Sequence, residues 1–418
     1  MLAGGLKEAQ ENANIAIVNT CSVTKSAVSK DAQILQKSRK ENPNAKIVLM
    51  GCFPVAYRNE SEKLGADLVW GVGKLDDLAR EIKNKFFSKN LIFHSSQDLI
   101  SADDRSRYFI KIQDGCEQFC SYCVIPYTRG KLKSRQAREV VEEIKNAVKR
   151  GYREIVLSGI HLGLYGKDFS SLLTKEGIKG RFHSEQIKNK IPPRTLLSKE
   201  RGNLNLVVLL EKILKIKDLG RVRLSSIEIT EVSDELINLM KTEKKICKHL
   251  HIPLQSGCDK ILKRMNRPYD VAFFETKVKK LRKAMPEIAL TTDVIVGFSG
   301  ENEKDFKDTA GFIKKINFSR LHVFPFSAHE MTAAAKMDGK VAPVDKKRRA
   351  DTLRKLSVGL ERNYKNKFRG RELEAIVENS KRGEIKGKTE FYFDVFFKET
   401  AGENRAVPGS CVKTKIWK

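Results

Sequence analysis

Cys116, Cys120 and Cys123 stand in the spacing C-x3-C-x2-C, inside a run from Ile112-Gln113-Asp114-Gly115-Cys116 to Tyr122-Cys123-Val124-Ile125-Pro126-Tyr127. Three thiolates so spaced can hold three irons of a four-iron cubane cluster and leave the fourth iron open to a substrate. Two other chemistries compete for such a triplet. Structural zinc combines paired half-sites into four ligands, and no second half-site lies close by. A disulfide framework suits small secreted chains, whereas eight cysteines are scattered here over 418 residues. Met1-Leu2-Ala3-Gly4-Gly5 leads into polar sequence, so no secretory leader is expected and the thiols are read as reduced, in the cytoplasm.

Such a triplet needs a scaffold, and the apolar runs describe an α/β chain in three parts and a connector. Residues 1–100 alternate strands at 15–18, 47–50 and 68–71 with helices at 22–42 and 75–86, the rhythm of a parallel sheet. Cys21 and Cys52 stand just past two of those strand ends, where open parallel sheets bind ligands. The pair is either a metal site or two structural cysteines. Residues 101–345 contain six strand patterns, at 109–113, 154–158, 222–227, 249–254, 290–297 and 320–326, each followed by a helical pattern. Six such units favour a partial, TIM-like (β/α)6 barrel with its active face at the strand carboxyl ends, and the triplet follows the first strand.

Polar and glycine residues recur at that same end: Ser158-Gly159-Ile160-His161, Ser225-Ser226, Gln255-Ser256-Gly257, Asp293 with Gly297, and Ser327. They are the groups that a methionine–adenosine ligand needs for its amine, carboxylate and ribose, with ordinary loop chemistry as the alternative for each. His161, His249 and His251 stay open between ligand and structural roles. The lysine-rich stretch 166–203 reads as an insertion, either a solvated loop or part of a polyanion surface.

Residues 346–368 predict a basic helical connector with Leu353, Leu356, Leu360 and Tyr364 on one face. Residues 369–418 show strand patterns at 373–377, 390–395 and 411–416, which suggest a small β-barrel with Cys411 in its core. An exposed Phe391 or Tyr392 beside Lys386 and Lys388 would suit base stacking over a phosphate-tracking groove. The chain carries 80 Lys plus Arg against 52 Asp plus Glu, a formal charge of +28. That excess favours RNA or DNA as partner, against the alternative of a generally lysine-rich surface. No apolar run reaches eighteen residues, so no membrane partner is expected, and a monomer is the default.

The run from Asp114-Gly115-Cys116 to Lys131 resembles the cluster signature of the radical S-adenosylmethionine methylthiotransferases. Asn19-Thr20-Cys21-Ser22-Val23-Thr24 and Gly51-Cys52 are similar to their N-terminal domain, and residues 369–418 to their RNA-binding TRAM domain. Leu224-Ser225-Ser226-Ile227-Glu228, the run from His249 to Gly257 and Leu321-His322-Val323-Phe324-Pro325-Phe326-Ser327 look most like the branch that modifies threonylcarbamoyladenosine in tRNA.

The resemblance implies an N-terminal flavodoxin-like sheet, a central radical S-adenosylmethionine barrel and a C-terminal TRAM barrel. It implies that Cys116, Cys120 and Cys123 hold one 4Fe-4S cluster. Tyr122, Ser158, Gly159, Ser226, Gln255 and Asp293 would bind S-adenosylmethionine, and Lys386, Lys388 and Tyr392 would bind RNA. A radical derived from S-adenosylmethionine would activate adenine C2, and a flavodoxin or ferredoxin would donate electrons. Cys21 and Cys52 would hold a second 4Fe-4S cluster that carries the sulfur.

Several positions depart from the family. The third ligand of the second cluster is absent, so the given start is expected to fall within the family's first helix, with the first strand missing ahead of it. Ile229 stands where the family has proline, and His329 and Met331-Thr332 replace Arg and Gly-Thr. An ion pair at His329 would depend on its protonation. Cys247 and Cys258 are given no role. Two other functions remain in view: a sibling enzyme acting on isopentenyladenosine in tRNA or on a ribosomal protein, and a single-cluster RNA-binding protein without sulfur transfer.

Overall fold

The computed structural model describes residues 14–21, 25–73, 75–87, 106–169, 204–381, 384–398 and 408–416. The insertion expected at 166–203 lies outside them from residue 170 onward. The chain divides into two compact units. One combines Met1–Asp104, Glu117–Gly130 and Ser327–Met337, and the other Arg105–Cys116, Lys131–Phe326 and Asp338–Lys418.

The first unit carries a parallel sheet in the order β1 (Ile15–Thr20), β2 (Lys46–Gly51), β3 (Leu68–Gly71). Side chains alternate across a strand, and here both faces are covered: Val18, Ile47 and Leu49 pack with Leu35 and Phe53, while Val48 and Leu68 pack with Leu78 and Ile82. The helices behind these contacts are Lys25–Glu41 and Leu75–Phe86, close to their expected spans. Thr20 pairs with Gly51, so Cys21 and Cys52 leave adjacent strands side by side in register. Gly51 has φ 108, and a Cβ there would collide with the Thr20 carbonyl, so the position requires glycine.

In the second unit six strands run parallel in chain order: β4 (Tyr108–Asp114), β6 (Glu154–Gly159), β7 (Arg221–Leu224), β8 (His249–His251), β9 (Ala289–Val296) and β10 (Arg320–Pro325). Single parallel bridges, Val222 to Ile246 and Ser226 to His251, join the β7 and β8 segments. The two-residue β5 (Lys133–Ser134) pairs antiparallel with β4. Helices lie between the strands, as in Ala137–Lys149, whose Val140, Ile144 and Ala147 recur at helical spacing and are fully buried. The connector is helical over Pro343–Asn366, with proline in its first turn. Its Leu353 and Leu360 enter the main core, and Leu356 packs half-buried against it.

The same unit ends in an antiparallel sheet of order β13 (Asp394–Lys398), β12 (Glu384–Thr389), β11 (Glu372–Lys381), β14 (Cys411–Lys415). This corrects the expected strand at 390–395. Residues 390–393 are the turn between β12 and β13, closed by the Tyr392 amide donating to the Thr389 carbonyl, with Tyr392 at φ 66. Phe391, Phe393 and Val395 do alternate into a core with Phe368 and Leu373, which is why the turn imitates a strand in sequence. Cys411 is also corrected: it is exposed, on a strand that among the described residues has a neighbour on one side only.

One buried ion cluster ties this sheet to the parallel strands. Glu154, with no exposed surface, accepts from Arg221 Nε at 2.5 Å and Arg223 Nε at 2.7 Å, with Arg107 at 3.7 Å. The two arginines donate onward to the carbonyls of Lys388 (2.7 Å), Thr389 (2.9 Å) and Glu390 (3.0 Å). Burial works against the Glu154 carboxylate, but Arg223 and Arg221 outweigh it and hold its pKa at about 2. Glu154→Gln leaves two buried cations without a counter-charge and is expected to destabilise the chain by about 3–5 kcal/mol, read by denaturant unfolding. The sign in pH follows from a depressed folded value. The contribution of Glu154 is complete above its ordinary value of about 4.5 and fades as pH falls towards 2, so the gap between wild type and variant should narrow in acid.

Candidate metal and cofactor site

β4 ends in a turn whose geometry is held by one buried amide. Gln113 is 1% exposed, and its Nε2 donates to the carbonyls of Asp114 and Gly115, both at 2.7 Å. Its Oε1 accepts the backbone N–H of His161 at 2.7 Å. Gly115, at φ 72, turns the chain so that Cys116 follows directly. Gly159 leaves room for the amide, since a Cβ there would lie 2.9 Å from Gln113 Oε1. The sequence reading gave Gln113 no role, because a lone glutamine in a strand carries no signal of what lies opposite it.

His161 faces Cys116 directly. Its Nδ1 lies 3.3 Å from Cys116 Sγ and its Nε2 lies 2.8 Å from Glu231 Oε1. Burial disfavours the charged ring, but the hydrogen bonds to Cys116 and Glu231 prevail and raise the His161 pKa to about 9. Glu231 was also missed by sequence. It closes a capping box with Glu228 on the short helix Ile229–Glu231, and Glu228 in turn pairs with Arg267. Ile229, at the family's proline position, is fully buried in the main core.

Cys116 belongs to the second unit, Cys120 and Cys123 to the first. The Cys123 amide donates to the Cys120 carbonyl at 3.0 Å, a tight turn that carries half-buried Tyr122 between them. All eight cysteines are outside disulfides. Cys52 is buried and Cys21 exposed. The Cys21 amide donates to Asp31 Oδ2 at 2.8 Å, and burial raises the pKa of that carboxyl against the pull of the hydrogen bond. Cys247 is buried, and desolvation pushes its thiol up to about 11, which suits an inert core residue. Among the described residues His329 has no ion pair and its Nε2 no partner; its ring lies 4.6 Å from that of Tyr57, and burial lowers its pKa.

Of the other expected cofactor residues of the second unit, Ser158 and Gly159 end β6, Ser226 and Gln255 follow β7 and β8, and Asp293 lies within β9. Ser158 Oγ is committed to the Ile110 carbonyl at 3.1 Å. Ser226 is half-buried, while the neighbouring Ser225 Oγ is buried with no partner among the described residues. Gln255 adopts φ 63, its amide donating to the Asp293 carbonyl and its carbonyl accepting from Ile295. Asp293 Oδ1 lies 3.2 Å from His251 Nε2, whose Nδ1 lies 3.0 Å from Thr291 Oγ1.

The expected exposed RNA face at Phe391 and Tyr392 is corrected. Phe391 is 6% exposed, and Tyr392 stacks on His249 with ring centroids 4.1 Å apart. Lys388 is buried against Asp394, and Lys386 pairs with Glu378 at 3.2 Å and Asp394 at 3.1 Å. These side chains anchor the turn, and their charge is already compensated. Gln113→Leu strands three backbone groups and is expected to destabilise the β4 turn by about 1–3 kcal/mol per group. Iron bound after anaerobic reconstitution should fall with it, and wild-type iron content in that variant would contradict the positioning role.

Comparison with known proteins adds to this geometry. The model of the Radical SAM superfamily matches residues 110–313, and that of the Uncharacterized protein family UPF0004 matches residues 4–71. The threonylcarbamoyladenosine tRNA methylthiotransferase MtaB of Bacillus subtilis is 34% identical, over 99% of this chain and 87% of its own. The enzyme of the same name from Thermotoga maritima is 34% identical over 91% and 82%. The tRNA-2-methylthio-N(6)-dimethylallyladenosine synthase of Carboxydothermus hydrogenoformans is 31% identical over 97% and 89%. Among solved structures, the radical S-adenosylmethionine methyltransferase TsrM from Kitasatospora setae, with cobalamin and a 4Fe-4S cluster bound, aligns with TM-score 0.53 at 13% identity. That alignment covers 78% of this chain and 64% of the other, and is a likeness of fold.

Proposed function

Because the chain belongs to the radical S-adenosylmethionine tRNA methylthiotransferase family, we propose that its substrate is tRNA carrying N6-threonylcarbamoyladenosine beside the anticodon, and its product the 2-methylthio derivative. The observation that carries this reading is the C-x3-C-x2-C triplet following β4, in a chain 34% identical along nearly its whole length to an enzyme of that name.

The residues fit the cofactors that the family uses. Three thiols outside disulfides would form the donor set of a cluster with one open iron, and the Ser225 hydroxyl beside Ser226, buried and without a partner among the described residues, leaves a polar atom for a ligand at the end of β7. A 4Fe-4S cluster with S-adenosylmethionine supplies, when bound, an electron and a carbon-centred radical able to activate adenine C2. Cys116, Cys120 and Cys123 would hold the cluster. Gln113 sets the turn before Cys116, and His161, steadied by Glu231, donates towards its sulfur. Ser226, Gln255 and Asp293 would orient S-adenosylmethionine, with Tyr122, Ser158 and Gly159 nearby in sequence to the triplet and the β6 end. Cys21 and Cys52 would serve a second cluster.

The finer architecture belongs to the same proposal: an N-terminal domain at 1–100, a partial (β/α)6 barrel at 101–345, the connector and a TRAM-type barrel at 369–418, in a cytoplasmic monomer fed by a flavodoxin or ferredoxin. Among the described residues no helix is long and apolar enough to cross a membrane. Nucleoside analysis of tRNA from cells with and without the gene tests the substrate. Loss of 2-methylthio-threonylcarbamoyladenosine is expected, and loss of the isopentenyl product instead would assign the sibling activity. Cys120→Ala should abolish cleavage of S-adenosylmethionine, whereas Cys52→Ala should leave cleavage and lose the methylthio product. Equal loss of cleavage in both variants would overturn the division of labour between the two cysteine groups.

A further inference from the structure

The Pro343–Asn366 helix carries eight Lys or Arg against three acids, and its cations divide into two sets. The first set is engaged with the fold. Arg349 pairs with buried Glu301 at 2.7 Å, Arg348 with Glu303 at 2.7 Å, Arg354 with Asp351 at 2.9 Å and Lys365 with Glu361 at 2.9 Å, while Lys346 donates to the Phe326 carbonyl at 3.0 Å. The second set is Lys347, Lys355 and Arg362, all exposed, with no acid partner among the described residues.

At about 100° per residue these three fall within an arc of about 80°. The buried side chains Leu353, Ser357, Leu360 and Tyr364 occupy the opposite side. The rise per residue spaces the three cations by about 12 and about 10 Å along a straight line. Asp351 is the acid on that arc, and Arg354 already engages it. The arc also exposes Val344 and Val358, at 72% and 70%. A rigid row of uncompensated cations presents regularly spaced charge at no further desolvation of paired acids, which is what a sugar–phosphate strand requires.

We infer that the outer face of this helix, through Lys347, Lys355 and Arg362, is a docking surface for the phosphate backbone of the substrate tRNA, separate from the cysteine site. The inference rests on the tRNA reading above. It places backbone contact on the connector helix, whereas Lys388 of β12 and Tyr392 of the following turn are spent on internal contacts. Such contacts position a nucleic acid and are blind to its sequence.

The test is the binding of threonylcarbamoyladenosine-containing tRNA to the full chain across a salt series. The triple variant Lys347→Gln, Lys355→Gln, Arg362→Gln should weaken binding roughly tenfold or more. It should also reduce the slope of log affinity against log salt by about two, at 0.7–0.9 per phosphate released. Cleavage of S-adenosylmethionine without tRNA should be unchanged. A control triple, Lys304→Gln, Lys307→Gln, Lys314→Gln, removes the same charge from the helix Glu303–Ile316. Wild-type affinity and slope in the first variant, or equal losses in both, would overturn the docking surface and leave the activity standing. Failure of the wild-type chain to bind tRNA at all would instead overturn the substrate reading.

Discussion

The buried Glu154 carboxylate is the interaction on which the larger unit depends. It opens β6, pairs with the first residue of β7 through Arg221, and reaches Arg223 two residues on and Arg107 just ahead of β4. Three strands are thereby registered at their amino ends. The same arginines also donate to carbonyls at the end of β12 and the start of the turn after it, so the C-terminal sheet is fastened to that end by charge-assisted bonds. A buried pair of this kind is weak evidence for net stability and stronger evidence for specificity, because any other register strands a charge in the interior. The candidate site at the carboxyl ends of the strands is thus separated from the ion cluster at the amino ends, the division expected of parallel strands with an active face.

At the carboxyl ends the first organising contacts are the hydrogen bonds of one neutral amide to backbone. Gln113 satisfies two carbonyls on the turn ahead of Cys116 and the amide of His161, so one side chain sets the end of β4 against the end of β6. His161 then spans Cys116 and Glu231, linking the β6 end to the segment after β7. These contacts fix the direction of the Cys116 sulfur, the kind of task that residues outside a coordination sphere perform for a ligand.

Much of this was legible in sequence. Among the described residues, the apolar runs located the six parallel strands of the second unit and the three of the first, because buried parallel strands read as continuous Val, Ile and Leu. The cysteine triplet was legible as a candidate cluster donor set from its spacing. Long-range pairing was not legible: Glu231 stands 70 residues from His161, and nothing in local composition links them. The C-terminal sheet misled for a different reason. Phe391, Phe393 and Val395 alternate like a strand yet serve a turn, while the true strand β12, Glu-Ile-Lys-Gly-Lys-Thr, has a glycine and two lysines that mask its buried face. Lys388 and Tyr392 read as a nucleic-acid surface because sequence records charge and aromaticity without recording what compensates them.

That last point governs how a net charge of +28 should be understood. A formal excess says how many cations outnumber acids, and the structure decides which of them remain available. Arg221, Arg223, Arg267 and Arg349 are buried and spent on Glu154, Glu228, Glu301 and backbone carbonyls. Arginine suits that work because its planar donors reach several acceptors at once. Surface pairs such as Lys145 with Glu142 or Lys280 with Asp234 compensate others, weakly and in a salt-dependent way. A polyanion therefore meets the fraction of cations that lack an acid within reach. Their arrangement on a rigid element, rather than their number in the chain, determines where a phosphate strand can lie.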